Sequence, residues 1–510
     1  MSQPQAIPAP SACPDPLDPL RALAHRRLDC LIAFCLADES DDDRPFLAFE
    51  RDLLGLLFCL GQILVRLFLL RRHLRLDLGP WLSKGYRVSD RAAPRTLDTA
   101  FGPVEYARAY LVPKSGGPGV HPLDAELGLT RDGFSPTLVG WFCRLATRVS
   151  FRLASELGGM FLGAAPSHAT IEGWVLGLAR PAHVWLSGGP LPDGDGDVLV
   201  IECDGKAAPT ATDEELRKRR GKRHEAGCKC CQRHRGRAGR KRLGRKQKRK
   251  RGDKSKNGRS ATLVVMYTLK RAEDGRLHGP VNKKTYGSFS CRKAVLSWAR
   301  RQATRRGFPP GTGKTVQVIL DGEECLERGM RELFPDAILT LDVRHAQERL
   351  WKVGRLLHAE GSEELAAWVG PLEGLLYGGR VAELLSRLQG LDFRGPGGKA
   401  KRRARDKAAS YLRKREALMD YGRWRGQDLV IASGVVEAAA RVVVGERLDN
   451  SGMRWIKERA EAVLLLRCVE INGDWDDFWQ DAERRRREEL GAGRPVQIRS
   501  AVCTQLPQAA

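Results

Sequence analysis

Two short apolar runs, VLVIECDG at 198–205 and VQVILDG at 316–322, constrain this chain more than any other feature. Each is too short for a stable helix and too continuously hydrophobic for a surface strand. That is the pattern of a buried strand. Each run ends in aspartate followed by glycine, so the backbone can turn sharply and leave a carboxylate at the strand tip. In open α/β sheets, strand tips are where ligands gather.

The surrounding pattern extends this into a layered α/β fold with one interruption. SATLVVMYTLKR and GPVNKKTYGSFS read as two further strands, and CRKAVLSWARRQATRRG as an amphipathic helix. Residues 198–345 form the first part of the core, carrying a basic insertion loop at 212–258. Residues 346–432, with leucines at helical spacing, read as an all-helical insertion. Residues 433–485 return to the core with the helix SGVVEAAARVVVGERL, and 486–510 form a tail. A Gly/Pro/Asp linker at 187–197 precedes the core. Before it, 44–186 reads as a mainly helical DNA-binding region with a β-hairpin at RTLDTAFGPVEYARAYLVP, and 1–43 as a disordered or short N-terminal segment. Ser167 stands as N-cap before TIEGWVLGLA.

The run LLGLLFCLGQILVRLFLL (53–70) is nearly long enough to span a bilayer. Gln62 and Arg66 interrupt it, and an arginine at the bilayer centre costs about 2.5–3.5 kcal/mol. A buried or partner-facing helix is the expectation, with no membrane partner.

Formal net charge is +25, and between Arg217 and Lys256 stand 21 lysines and arginines against two acids. Such a segment suits a polyanion, binding phosphates by counterion release without reading sequence. DNA contacts are assigned within it to Arg240, Lys241, Arg242, Arg245, Lys246, Lys248, Arg249, Lys250 and Arg251. Cys228, Cys230, Cys231, His224 and His234 lie in the same segment, but CxCC lacks the usual zinc spacing, so zinc is not expected. The 13 scattered cysteines and a proline-rich start without a leader pattern point to a reduced, cytoplasmic protein. GTGKT (311–315) lacks the first Walker glycine, Phe308 standing there, and precedes a strand instead of following one. It reads as a turn, and no nucleotide cofactor is expected.

Asp204 and Asp321 end the two apolar runs, and Glu437 sits early on the helix after the insertion, at separations of 117 and 116 residues. Carboxylates brought close together repel, and one would take up a proton unless a cation lay between them. Hard oxygen ligands favour Mg2+ or Mn2+ over zinc. An Asp-Gly step is also a common turn, and an acid early in a helix favours its dipole. Spacing alone leaves both readings open.

SGVVEAAARVVVGERLDNSGMRWIKERAEAVLLLR followed by INGDWDDFW resembles the C-terminal signature of bacterial insertion-sequence transposases of the ISKra type, in the mutator-like superfamily. IECDGK and VILDGEE resemble the two aspartate strands of these DDE enzymes. LDVRHAQERLW resembles their Asp-x-x-His motif, and RTLDTAFGPVEYARAY with PLDAELGL their leading domain. The resemblance implies an RNase H-like catalytic domain, with Asp204, Asp321 and Glu437 as catalytic and metal-binding residues and Asp342 and His345 as accessory positions. It further implies metal-dependent cleavage at terminal inverted repeats and strand transfer into target DNA, by a homo-oligomer in a synaptic complex. Beyond Glu437, Arg447, Arg454 and Trp455 suit phosphate contact and base stacking. The stretch VPKSGGPGVHPLD lacks the cysteines that family members often carry there. A domesticated, non-catalytic DNA-binding derivative and an RNase H-like nuclease are the alternatives.

Overall fold

The computed structural model describes residues 15–36, 45–162, 165–211, 259–395, 397–449 and 454–493. The basic segment, with Arg240 to Arg251 and the cysteines at 228–231, lies outside them. Two compact units emerge, Met1–Gly177 with Asp476–Val502, and Leu178–Trp475 with Cys503–Ala510.

In the first unit, α1 (Asp18–Cys35) and α2 (Phe46–Leu74) precede a short α3 (Gly79–Ser83) and a hairpin of β1 (Tyr86–Thr99) and β2 (Gly102–Pro113). Helix α1 corrects the expectation of a disordered or short segment at 1–43. A proline stands at its N-terminus, and Phe34 stacks on Phe49 of α2 with ring centroids 5.2 Å apart. Over the first seven residues of β2 burial alternates, with Val104, Tyr106 and Arg108 buried and Glu105 and Ala107 exposed. Leu97, Val104, Tyr106 and Leu123 pack with Leu69 of α2.

Asp124, on α4 (Pro122–Leu127), locks the hairpin. It accepts hydrogen bonds of 2.7 Å from Tyr106 Oη, Arg108 Nε and Arg95 Nη1. A buried carboxylate needs such partners, which accounts for the aspartate of PLDAEL. Helices α5 (Pro136–Arg148), α6 (Phe151–Phe161) and α7 (His168–Gly177) follow. Ser135 and Ser150 cap the first two, and Ser167 Oγ accepts from the Thr170 amide at 3.1 Å. Helix α2 is long and apolar enough to cross a membrane, and only 11% of its apolar window is buried. Leu54, Leu57, Leu64 and Phe68 are exposed, so the helix is not a buried one.

The second unit opens with α8 (Ala179–Gly188), so the expected linker at 187–197 lies inside this unit. Strands β3 (Val198–Ala208), β4 (Arg259–Arg271) and β5 (Leu277–Ser288) lead to α9 (Arg292–Arg305). Then come β6 (Thr315–Leu320), α10 (Glu324–Leu333) and β7 (Ile338–Leu341). The sheet order is β5-β4-β3-β6-β7. β4 runs antiparallel to both β3 and β5, whereas β6 pairs parallel with β3 and β7 parallel with β6. The protein is thus a mixed α/β fold around a mixed sheet. GTGKT is the turn before β6, with positive φ at Gly311 and Gly313.

Among the described residues, five α-helices and a 3-10 turn (Glu416–Leu418) fill the insertion: α11 (Val343–Gly354), α12 (Glu363–Tyr377), α13 (Val381–Gln389), α14 (Gly398–Arg413) and α15 (Tyr421–Gly426). The chain returns as α16 (Gly434–Ala440) and changes winding to a π-helix over Arg441–Asp449. Buried Arg467 of α17 (Lys457–Ile471) donates to the Val443 carbonyl at 2.8 Å and to that of Val442. Side-chain donors of this kind satisfy carbonyls displaced from α-helical pairing. The last helix, α18 (Trp475–Gly491), joins the first unit from Asp476 onward, so the expected core segment 433–485 is divided. Trp479 lies against Gly140 there, where a Cβ would approach its ring to 2.8 Å.

Candidate active site at the strand tips

Register places the site. Cys203 pairs with Leu320 across β3 and β6, and Leu320 with Leu341 across β6 and β7. The next residues along these three parallel strands are Asp204, Asp321 and Asp342, so three aspartates form one row; β6 and β7 end there, whereas β3 runs on to Ala208 paired with β4, which corrects the expectation that Asp204 ends its strand. The Asp342 amide still donates to Leu320 O at 2.8 Å, which holds the row together past the last ladder pair. Neighbouring strands are about 4.8 Å apart, and side chains alternate faces every two residues. Asp204 therefore shares a face with Glu202, which contacts the start of α16.

Glu202 is wholly buried. Its Oε1 accepts from Tyr267 Oη at 2.7 Å, and its Oε2 accepts from the Val436 amide at 2.7 Å. Burial pushes its carboxyl up to about 7, and the nearby Asp342 adds to the rise. One side chain on β3 thereby fixes the residue beside Glu437, although the two partners lie 234 positions apart.

Glu437 meets Asp342 and His345, and one ligand atom from each lies within 4.8 Å of the others. Asp342 is buried and caps α11, accepting from the Arg344 amide at 2.8 Å through Oδ1 and from Ser433 Oγ through Oδ2. His345 stands one residue beyond Arg344 on the first turn. The Glu437 side chain is 41% exposed and pairs with Arg344 at 3.4 Å.

The Asp321 turn is held from the insertion. Tyr411 Oη of α14 donates to Asp321 O at 3.1 Å, and Arg415 donates to Gly322 O at 2.7 Å. Arg349 and Arg415 both lie 4.2 Å from the Tyr411 ring centroid. Gly322 has φ +83°, and a Cβ there would come within 2.2 Å of Tyr411 Oη, so only glycine fits.

Asp342, His345 and Glu437 thus form one group, which among the described residues includes neither Asp204 nor Asp321; the register row sets Asp321 next to Asp342 and Asp204 one strand further along. Arg447 and Trp455, expected to touch DNA, are instead in the core, with 2% and 5% exposure. The Arg447 guanidinium stacks 4.9 Å from the Trp455 ring, and burial first, then Arg467, lowers its pKa to about 10. Trp455 donates to Leu448 O at 3.1 Å, and its backbone bridges Thr210 just past β3. Both residues clamp the π-helix to the sheet. Arg454 is half-buried. Glu202 was not anticipated, although an acid inside an otherwise apolar strand is itself a signal, since buried charge demands partners.

Fold and site together define a mixed-sheet α/β protein with an in-register row of aspartates across three parallel strands. No family model matches the chain. A stretch of 103 residues is 35% identical to a "UPF0236 protein in vanSb 3'region" of Streptococcus gallolyticus, covering 19% of this chain and 22% of that protein. The chain therefore spans about a fifth of the length of this curated relative. The chain is also similar to a solved structure of the "Drosophila P element transposase strand transfer complex". Identity is 12% and the TM-score 0.25, over 70% of this chain and 82% of that one.

Proposed function

We propose that this protein is a DDE transposase of a bacterial insertion sequence, with an RNase H-like catalytic unit that cuts element ends and joins them to target DNA. The observation that carries the reading is the in-register aspartate row across β3 and the ends of β6 and β7, with Glu437 reaching its Asp342 end from the helix that Glu202 tethers to β3. A five-stranded mixed sheet with an all-helical insertion ahead of the last acid supports the RNase H-like assignment.

Asp204, Asp321 and Glu437 would hold Mg2+ or Mn2+, with Asp342 and His345 beside them. The all-oxygen core suits hard cations. Bound divalent ions would activate a water or a 3′-hydroxyl and stabilise the leaving oxygen. The chain's own residues set the stage. Glu202 and Ser433 fix where α16 meets the sheet, Tyr411 and Arg415 fix the Asp321 turn, and Arg344 offsets the charge of Glu437. In-line displacement at phosphorus on such a platform needs no covalent protein intermediate and no nucleotide.

The test is a supercoiled plasmid carrying candidate terminal repeats, incubated with Mg2+ and a target. Joined products are expected from the wild type and none from Asp321→Asn. Equal activity of the variant would reassign the site. Nicking without joining would favour a nuclease, and binding alone a non-catalytic derivative.

A further inference from the structure

We infer that the outward face of α14 is a second duplex-DNA-binding surface, a phosphate track running up to the candidate active site. The inference rests on the reading of DNA as substrate. Helix α14 carries seven lysines and arginines and one acid in its 16 residues. Its inward face is set by Ala408, Ala409 and Leu412, all buried. At 3.6 residues per turn, the opposite side presents Lys399, Arg403 and Lys407 in one i, i+4, i+8 row about 12 Å long.

These three side chains are exposed and form no ion pair or hydrogen bond among the described residues. Their neighbours are spent differently. Arg402 donates to Phe393 O, and Arg405 is held by Asp406 and the Leu391 carbonyl. A row of like charges four residues apart destabilises a helix, since each neighbour repels the next. A polyanion laid along the row removes that repulsion, whereas solvent only screens it.

Position makes the row more than a solvated face. The C-terminal end of α14 is bolted to the Asp321–Gly322 turn through Tyr411 and Arg415. With a rise of about 1.5 Å per residue, Lys399 lies about 18 Å along the helix from Tyr411. A duplex whose phosphates follow the row would have its end within about half a turn of the acidic centre, duplex turns being about 34–36 Å. Three spaced cations on one rigid helix face contact phosphates and read no base edges, so the surface adds affinity and orientation, not sequence choice.

The experiment measures binding of the full chain to a labelled duplex in EDTA, across a salt series, so that it is independent of the chemistry. Lys399→Gln/Arg403→Gln/Lys407→Gln is compared with the wild type and with Lys270→Gln/Arg276→Gln/Arg328→Gln, which removes equal charge from exposed positions elsewhere. Each lost phosphate contact lowers the slope of log K against log salt by about 0.9. The α14 triple variant is expected to lose about 2.7 from the slope and to bind at least about tenfold more weakly, with unchanged preference among duplex sequences. The control triple is expected to move the slope by less than about one. Equal slopes for the α14 variant and the wild type, or equal losses in both triples, would overturn the inference. Thermal unfolding checks that the α14 variant is folded, and Arg403→Glu alone repeats the test if it is not. Failure of wild-type cleavage with Mg2+ would sink the transposase reading and leave this salt series to decide the surface by itself.

Discussion

The Glu202 tether is the most exposed part of the reasoning, because a carboxyl in that place could act by charge or by shape. Its two oxygens accept one hydrogen bond each, from Tyr267 Oη and the Val436 amide, both at 2.7 Å and both buried. Glutamine has the same length. Its oxygen can serve the Val436 amide, and its NH2 can donate to Tyr267 Oη, which accepts as readily as it donates. Glu202→Gln should therefore cost less than about 1 kcal/mol. Aspartate is shorter by one carbon–carbon bond, about 1.5 Å. That stretches one or both contacts past hydrogen-bonding distance and strands a buried amide and a buried hydroxyl, at about 1–3 kcal/mol each. Glu202→Asp should thus lose roughly 2–6 kcal/mol in urea unfolding, and weaken Mn2+ binding by the folded protein at least about tenfold as Glu437 drifts from the aspartate row. A charge role predicts the opposite order, with aspartate tolerated and glutamine not. If Glu202→Gln proves the worse variant in both assays, or Glu202→Asp matches the wild type, the tether is refuted.

Other expectations follow from the same geometry. Gly322→Ala places a methyl 2.2 Å from Tyr411 Oη at φ +83° and should cost more than about 1 kcal/mol, read by urea unfolding. Trp455→Ala removes the ring on which Arg447 stacks and should destabilise by about 3–5 kcal/mol. An unaltered unfolding midpoint with a selective loss of DNA binding would return Trp455 to the interface. Glu461 accepts from Ser288 Oγ and the Phe289 amide, and burial raises its pKa. Its folded state favours the protonated form, so its contribution is complete below the ordinary glutamate pKa and fades as pH rises through the raised one. Thermal midpoints taken from pH 5 to pH 9 should accordingly fall more steeply in the wild type than in Glu461→Gln.

Much of the second unit was legible because its signals are local. Mainly apolar runs specify β3 and β6, and their Asp-Gly steps mark Asp204 and Asp321, although only the second step ends its strand. Leucines at helical spacing mark the insertion. What escaped depends on contacts between distant segments. Glu202 matters through Tyr267 and Val436, neither of which is visible from β3 alone. Arg447 and Trp455 carry types suited to nucleic acid, yet each covers the other in the core, since an arginine stem and a stacked guanidinium bury well against indole. Helix α1 was missed because its stability comes from lying on α2, not from its own sequence. Asp342 and His345 came from resemblance, and the register supplied the reason that sequence spacing could not, namely that Asp342 follows the strand next to Asp321.

The long detour through α11–α15 has a consequence for synthesis. Glu202 and Val436 are 234 positions apart, and chains grow at about 5–20 residues per second, so β3 waits about 12–47 s for its partner amide. In the last part of that interval, once β7 is made, the sheet can align Asp204, Asp321 and Asp342, but the nascent polypeptide still lacks Glu437. On the proposed reading, a chain that has not yet reached Glu437 cannot process DNA, and the gene that encodes it is shielded from its own half-made product.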